Sequence, residues 1–177
     1  MNSNPTPLAP SFKLTTRQMA VSGLLGAIAI ILGSTRLGFI PVPTPAGHAT
    51  IMHIPAILGG ILEGPVVGAL TGLIFGFYSF LNATNPMFAD PLIAILPRIF
   101  IGVTAYYSYK YLRGNSVVAA IVGTLTNTIG VLGLATLRGY LPFKASATVA
   151  LVQGTPEVVV AVLLVTLLVK ALKKLGY

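Results

Sequence analysis

Two charged residues stand deep inside apolar stretches of this chain, where a charge is expensive. Arg98 lies in Pro91-Leu-Ile-Ala-Ile-Leu-Pro97-Arg98-Ile-Phe-Ile-Gly102, and Glu157 lies in Gln153-Gly154-Thr155-Pro156-Glu157. Charges buried in this way face the interior of a bundle or a water-filled cavity. Two readings follow. The pair could close a salt bridge that locks two helices. Alternatively, both could line a polar cavity in which the planar fork of Arg98 holds a carboxylate or phosphate. Gln153 precedes Glu157 by one helical turn, so the two share a face. Pro156 between them removes a backbone hydrogen bond. A third polar group, Asn127, sits among Thr124, Thr126 and Thr128. It could bond a neighbouring helix or donate to and accept from a ligand.

The segment from Gly47 to Pro65 adds His48, Thr50 and His53 at the start of an apolar run that Glu63, Gly64 and Pro65 soon close. Such an interruption marks a cavity or gate. The two histidines are five residues apart, roughly 140° around a helix, so they share no face. No acidic residue lies near them in sequence, so no metal site is expected. The chain has no cysteine, which excludes disulfides, thiolate sites and cysteine nucleophiles. No His-Glu-x-x-His helix, Gly-x-Ser-x-Gly elbow or Walker A sequence is present. The residues therefore point to binding rather than to catalysis or nucleotide hydrolysis.

The elements that must position these groups are membrane spans. Of the 177 residues, 55% are hydrophobic and 8% charged, and mean hydropathy is +0.89. That is too few charges for a soluble surface of this size. The apolar runs predict spans over residues 17–34, 49–63, 65–82, 91–110, 115–137 and 147–169. The second is too short to cross about 30 Å of hydrocarbon comfortably. The expected fold is an all-α integral membrane protein: a six-helix bundle over residues 13–177 behind a disordered leader, residues 1–12. The net charge of +8 is scattered at span ends rather than gathered into a nucleic-acid patch. With both termini inside, Lys13, Arg17, Lys110, Arg113, Lys170, Lys173 and Lys174 are cytoplasmic, against Arg36, Arg138 and Lys144 outside. The bias favours cytoplasmic termini.

This topology turns three loops outward. The first carries Pro41, Pro43 and Pro45, which stiffen it into a gate. The others hold Asn82, Asn85, Pro86 and Asp90, and Tyr140 and Pro142. Their aromatic, proline and amide content predicts a ligand pocket on the outer face. In the first span, Ser22 with Gly26 and Gly23 with Ala27 form a smooth strip suited to close approach by a partner helix. Gly68, Gly72 and Gly76 repeat the spacing in the third span, where packing within the bundle is the better reading.

Four segments together resemble the substrate-binding S components of energy-coupling factor (ECF) vitamin transporters. They are His48 to Gly60, Gly64 to Gly76 with Ser79 and Phe80, Pro91 to Gly102, and Gly123 to Thr128. The resemblance covers residues 15–172. It implies a six-helix subunit of a prokaryotic plasma membrane that binds a vitamin on its outer side. Such a subunit works with a membrane coupling subunit and two cytoplasmic ATPases, which hydrolyse the ATP. The chain itself binds no cofactor. Transport in this family involves toppling of the S component in the bilayer. Docking uses an Ala-x-x-x-Ala strip on the first helix, matched here by Gly23 and Ala27, with glycine a mild departure. The expected pocket residues are Arg98, Asn127 and Glu157, then His48, Tyr78, Asn82 and Gln153. A carboxylate and hydroxyls on the ligand would suit them, which puts pantothenate first, then folate or riboflavin. The alternative is an autonomous channel or secondary carrier, disfavoured because six spans show no evident inverted repeat.

Overall fold

The computed structural model describes residues 14–41 and 48–176. The proposed leader and the gate prolines Pro43 and Pro45 lie outside them. Among the described residues there are six α-helices: α1 (Thr16–Ser34), α2 (Ile54–Glu63), α3 (Pro65–Leu81), α4 (Pro91–Tyr111), α5 (Ser116–Leu137) and α6 (Phe143–Lys174). The α1, α4, α5 and α6 helices are long and apolar enough to cross a membrane, whereas α2 and α3 have 10 and 17 residues. Leu24, Ile129, Leu151 and Leu163 lie exposed on the outside of the bundle. Bare apolar surface of this extent suits lipid, where helices satisfy their own backbone groups.

Local chemistry explains the boundaries. Thr15 and Gln18 form a reciprocal capping box that starts α1. Asp90 caps α4 by accepting from the Leu92 N–H, and Asn115 caps α5 through Val117 and Val118. Gly64, at φ +104°, turns the chain sharply between α2 and α3, and Pro65 opens α3.

The expected second span, 49–63, is corrected to a later helix start. His48–Thr50 is a strand, β2, paired antiparallel with β1 (Phe39–Pro41) in the register Phe39↔Thr50, Ile40↔Ala49 and Pro41↔His48. The bundle thus carries a small ribbon that an all-α reading lacked. Pro55 gives the reason. It has no N–H for the Ile51 carbonyl, so it is tolerated only in a first helical turn, and α2 begins at Ile54. The α6 helix runs several residues beyond the expected 147–169 at each end.

The shortness of α2 follows from its position. Ile54 to Ile61 are all buried, and α2 packs against each of the other five helices. It is the centre of the bundle, with Ile57 and Ile61 in the main core cluster. Glycines set the spacing around it. A Cβ on Gly72 would meet the Arg98 carbonyl oxygen, and one on Gly76 would lie 2.9 Å from Ile95 Cα. Gly60, Gly68 and Gly102 meet backbone to backbone where α2, α3 and α4 converge. The glycine stripe of the third span is thus a packing surface within the bundle.

The strip on α1 divides. Ser22 and Gly26 face inward, with Gly26 against the Ile74 side chain, whereas Gly23 and Ala27 are exposed. Ser22 and Gly26 are therefore removed from the partner-docking set, because a step of one residue rotates about 100° around a helix. At the opposite end of the bundle, Arg138 Nε donates to Asp90 Oδ2 at 2.8 Å and ties the end of α5 to the start of α4.

Two expectations follow. Gly72→Ala forces α3 away from α4 and destabilises the protein by about 1–3 kcal/mol, read as a lower unfolding temperature in detergent. Burial alone would raise the Asp90 carboxyl. The bond from Arg138 and those from the Leu92 and Ile93 N–H groups outweigh that effect and hold it below the usual carboxylate range. Its stabilising contribution is complete above the ordinary carboxylate range and disappears as pH falls through the lowered value. Melting temperatures followed from neutral to strongly acidic pH will fall more steeply in wild type than in Asp90→Asn.

Candidate functional site

The polar residues converge on one cavity of about 850 Å³. Its walls come from the end of α1, the ribbon, α3, the 82–90 connection, and α4, α5 and α6. Arg98, Asn127, Glu157, Gln153, Tyr78 and Asn82 all line it. His48 does not. It is exposed on β2, with its ring edge-on to Phe39 at 6.1 Å, and stands two residues along the strand from the cavity-lining Thr50. His53 is fully buried at the start of α2, and its Nε2 lies 3.0 Å from Thr124 Oγ1.

Arg98 is almost fully buried, and its surroundings are unusual for a guanidinium. Nη1 donates to the Ile93 carbonyl at 2.6 Å. The Phe75 and Phe88 rings lie 5.5 and 5.0 Å from Cζ, within cation–π range. Nε has no hydrogen-bond partner among the described residues. Asn127 Oδ1 is likewise buried and unpartnered. Orphaned buried polar atoms are rare, and each calls for an explanation. One charge-assisted donor and one amide acceptor are thus left without a partner on two residues that line the same cavity.

Glu157 lies on the opposite wall. Its Oε1 accepts from the Thr50 N–H at 3.0 Å and from Thr50 Oγ1 at 2.7 Å, and the Gln153 and Thr128 side chains are also turned toward it. Glu157 and Arg98 make no direct ion pair. The described ion pairs are Arg17–Glu63 and Arg138–Asp90. The helix-locking salt bridge is therefore not formed, and the two charges face a shared space instead.

The hydroxyls of α5 divide their tasks. Thr124 bonds His53, and Thr126 lies 2.9 Å from Thr104 of α4, so both serve the bundle. Thr128 and Asn127 line the cavity. Near the end of α3, Tyr78 Oη accepts from Ser34 at 3.2 Å, and Asn82 Nδ2 donates to the Tyr78 carbonyl at 3.0 Å. Sequence reasoning did not single out Thr50 or Phe75 as site residues. Thr50 was visible as a hydroxyl in the polar interruption. Phe75, beside Gly76 in the glycine stripe, gave no signal of its own.

Comparison with known proteins agrees with this architecture. The family described as ECF transporter, substrate-specific component, matches residues 17–169. The pantothenic acid transporter PanT of Lactococcus lactis subsp. cremoris (strain MG1363) is 34% identical, covering 71% of this chain and 78% of that protein. A solved structure of the S component of a bacterial ECF transporter superposes with a TM-score of 0.63. It covers 90% of this chain and 96% of its own, and at 24% identity it speaks for the fold.

Proposed function

The chain belongs to the family of ECF transporter substrate-specific components, and from that premise we propose that its cavity captures pantothenate. As an S component, it supplies the substrate recognition of the transporter. The observation that carries the ligand reading is the pair of buried, unpartnered groups, Arg98 Nε and Asn127 Oδ1, on two residues that line one cavity. A volume of about 850 Å³ falls within the usual range for small-molecule sites. Pantothenate offers a carboxylate for Arg98, and an amide and hydroxyls for Asn127, Gln153 and Thr128. Its geminal methyls suit the apolar lining at Val131, Leu132 and Met87. The identity to a protein named as a pantothenic acid transporter favours this vitamin over folate and riboflavin.

In this reading all six helices form the membrane domain, α2 and α3 included. Both termini are cytoplasmic, and the cavity opens outward beneath the ribbon. A membrane coupling subunit and two ATPases complete the importer, and the loaded subunit topples to deliver its ligand. Gly23 and Ala27 supply the smooth exposed strip for the coupling subunit.

Titration of the purified protein will show pantothenate binding, with folate and riboflavin far weaker. Arg98→Ala will lower the affinity about a hundredfold, as expected when one partner of a desolvated charge pair is removed. Wild type that neither binds pantothenate nor gains thermal stability from it would refute the assignment. Gly23→Leu with Ala27→Leu will leave pantothenate binding intact and abolish co-purification with the coupling subunit.

A further inference from the structure

The charge that faces the cavity is held by an unusual backbone arrangement. An α-helix ordinarily closes each carbonyl with the N–H four residues later. Residue 97 is a proline inside α4, so the Ile93 carbonyl has no such donor. That same carbonyl accepts Arg98 Nη1 at 2.6 Å. Side chains on a helix lean toward its N-terminus, which carries the guanidinium back over the vacated position. Gly130 of α5 leaves room for the ring: a Cβ there would lie 2.8 Å from Pro97 Cβ.

We propose that Pro97 is a positioning residue for ligand recognition. Having no N–H to offer Ile93, it leaves that carbonyl to anchor Arg98 Nη1 and presets the guanidinium between Phe75 and Phe88. Nη1 is then committed, and no acceptor among the described residues takes Nε. The edge formed by Nε and Nη2 presents two parallel donors to a carboxylate, side-on rather than end-on. A preset fork loses less freedom when the ligand arrives. A carbonyl can accept twice. Even so, closing the axial helix bond turns the C=O along the axis and removes the outward tilt that a proline ring enforces. A residue with an N–H at 97 would therefore release Arg98.

This inference rests on Arg98 as the carboxylate-holding group, and the test separates the two claims. The full chain in lipid nanodiscs is titrated with pantothenate and with pantothenol, its alcohol analogue, in wild type and Pro97→Ala. Loss of one charge-assisted contact weakens pantothenate by about tenfold or more, with pantothenol little changed. Equal weakening of both ligands would mean that Pro97 acts only through packing, and unchanged pantothenate affinity would also overturn the proposal. Nitrogen-15 arginine spectra of the ligand-free protein give a second readout, with the Arg98 signals assigned through Arg98→Lys. Wild type should show separate Nη signals from restricted rotation, merging in Pro97→Ala. Merged signals in wild type would sink the proposal even if Pro97→Ala failed to fold. If neither protein binds pantothenate while the spectra behave as expected, the ligand assignment fails and the positioning role stands.

Discussion

A guanidinium buried in an apolar bundle needs compensation from its surroundings, and much of this architecture supplies it. Transfer of an unpaired charge out of water costs several kcal/mol even after relaxation. Arg98 is compensated by one carbonyl of its own helix, two aromatic faces and the polarity of the cavity. Each contribution imposes a condition elsewhere. Phe75 reaches the cation because Gly72 and Gly76 let α3 lie against α4. Phe88 reaches it from the connection whose end Asp90 fixes by capping α4 and holding Arg138.

The second charge is compensated differently. Glu157 draws two hydrogen bonds from Thr50, a residue of the ribbon rather than of a helix. This fastens the segment before α2 to α6 and makes the ribbon part of the cavity wall. The central helix can then be short, because its faces meet protein and it has no lipid thickness to match. Polar residues at its start bond inside the bundle, as His53 does with Thr124.

Much of this was legible in the residues. The low charge and long apolar runs gave the membrane class, and every helix was located to within a few residues except the start of α2 and the two ends of α6. Arg98, Asn127, Gln153 and Glu157 stood out because polarity is costly inside a span. The failures share a cause. Ala49 and Thr50 were read as entering a helix, while backbone pairing between residues distant along the chain made a strand there. Pro55, present in the sequence, carried the information that would have corrected the start. Ser22 and Gly26 were joined to Gly23 and Ala27 because four-residue spacing identifies a face without saying which way it points.

Composition and local chemistry alone determined that this chain lives in a bilayer, where most of its helices begin, and which few side chains are too polar for their surroundings. These are properties of short segments, set by hydrophobic transfer and by the hydrogen-bond needs of helix ends. Tertiary structure decided what those side chains face. Arg98 and Glu157 could have neutralised each other. Helix packing set by glycines, the carbonyl vacated at Ile93 and the strand pairing that delivers Thr50 hold them on separate walls of one cavity. No local rule could settle that choice, because it depends on distances between segments that lie far apart along the chain.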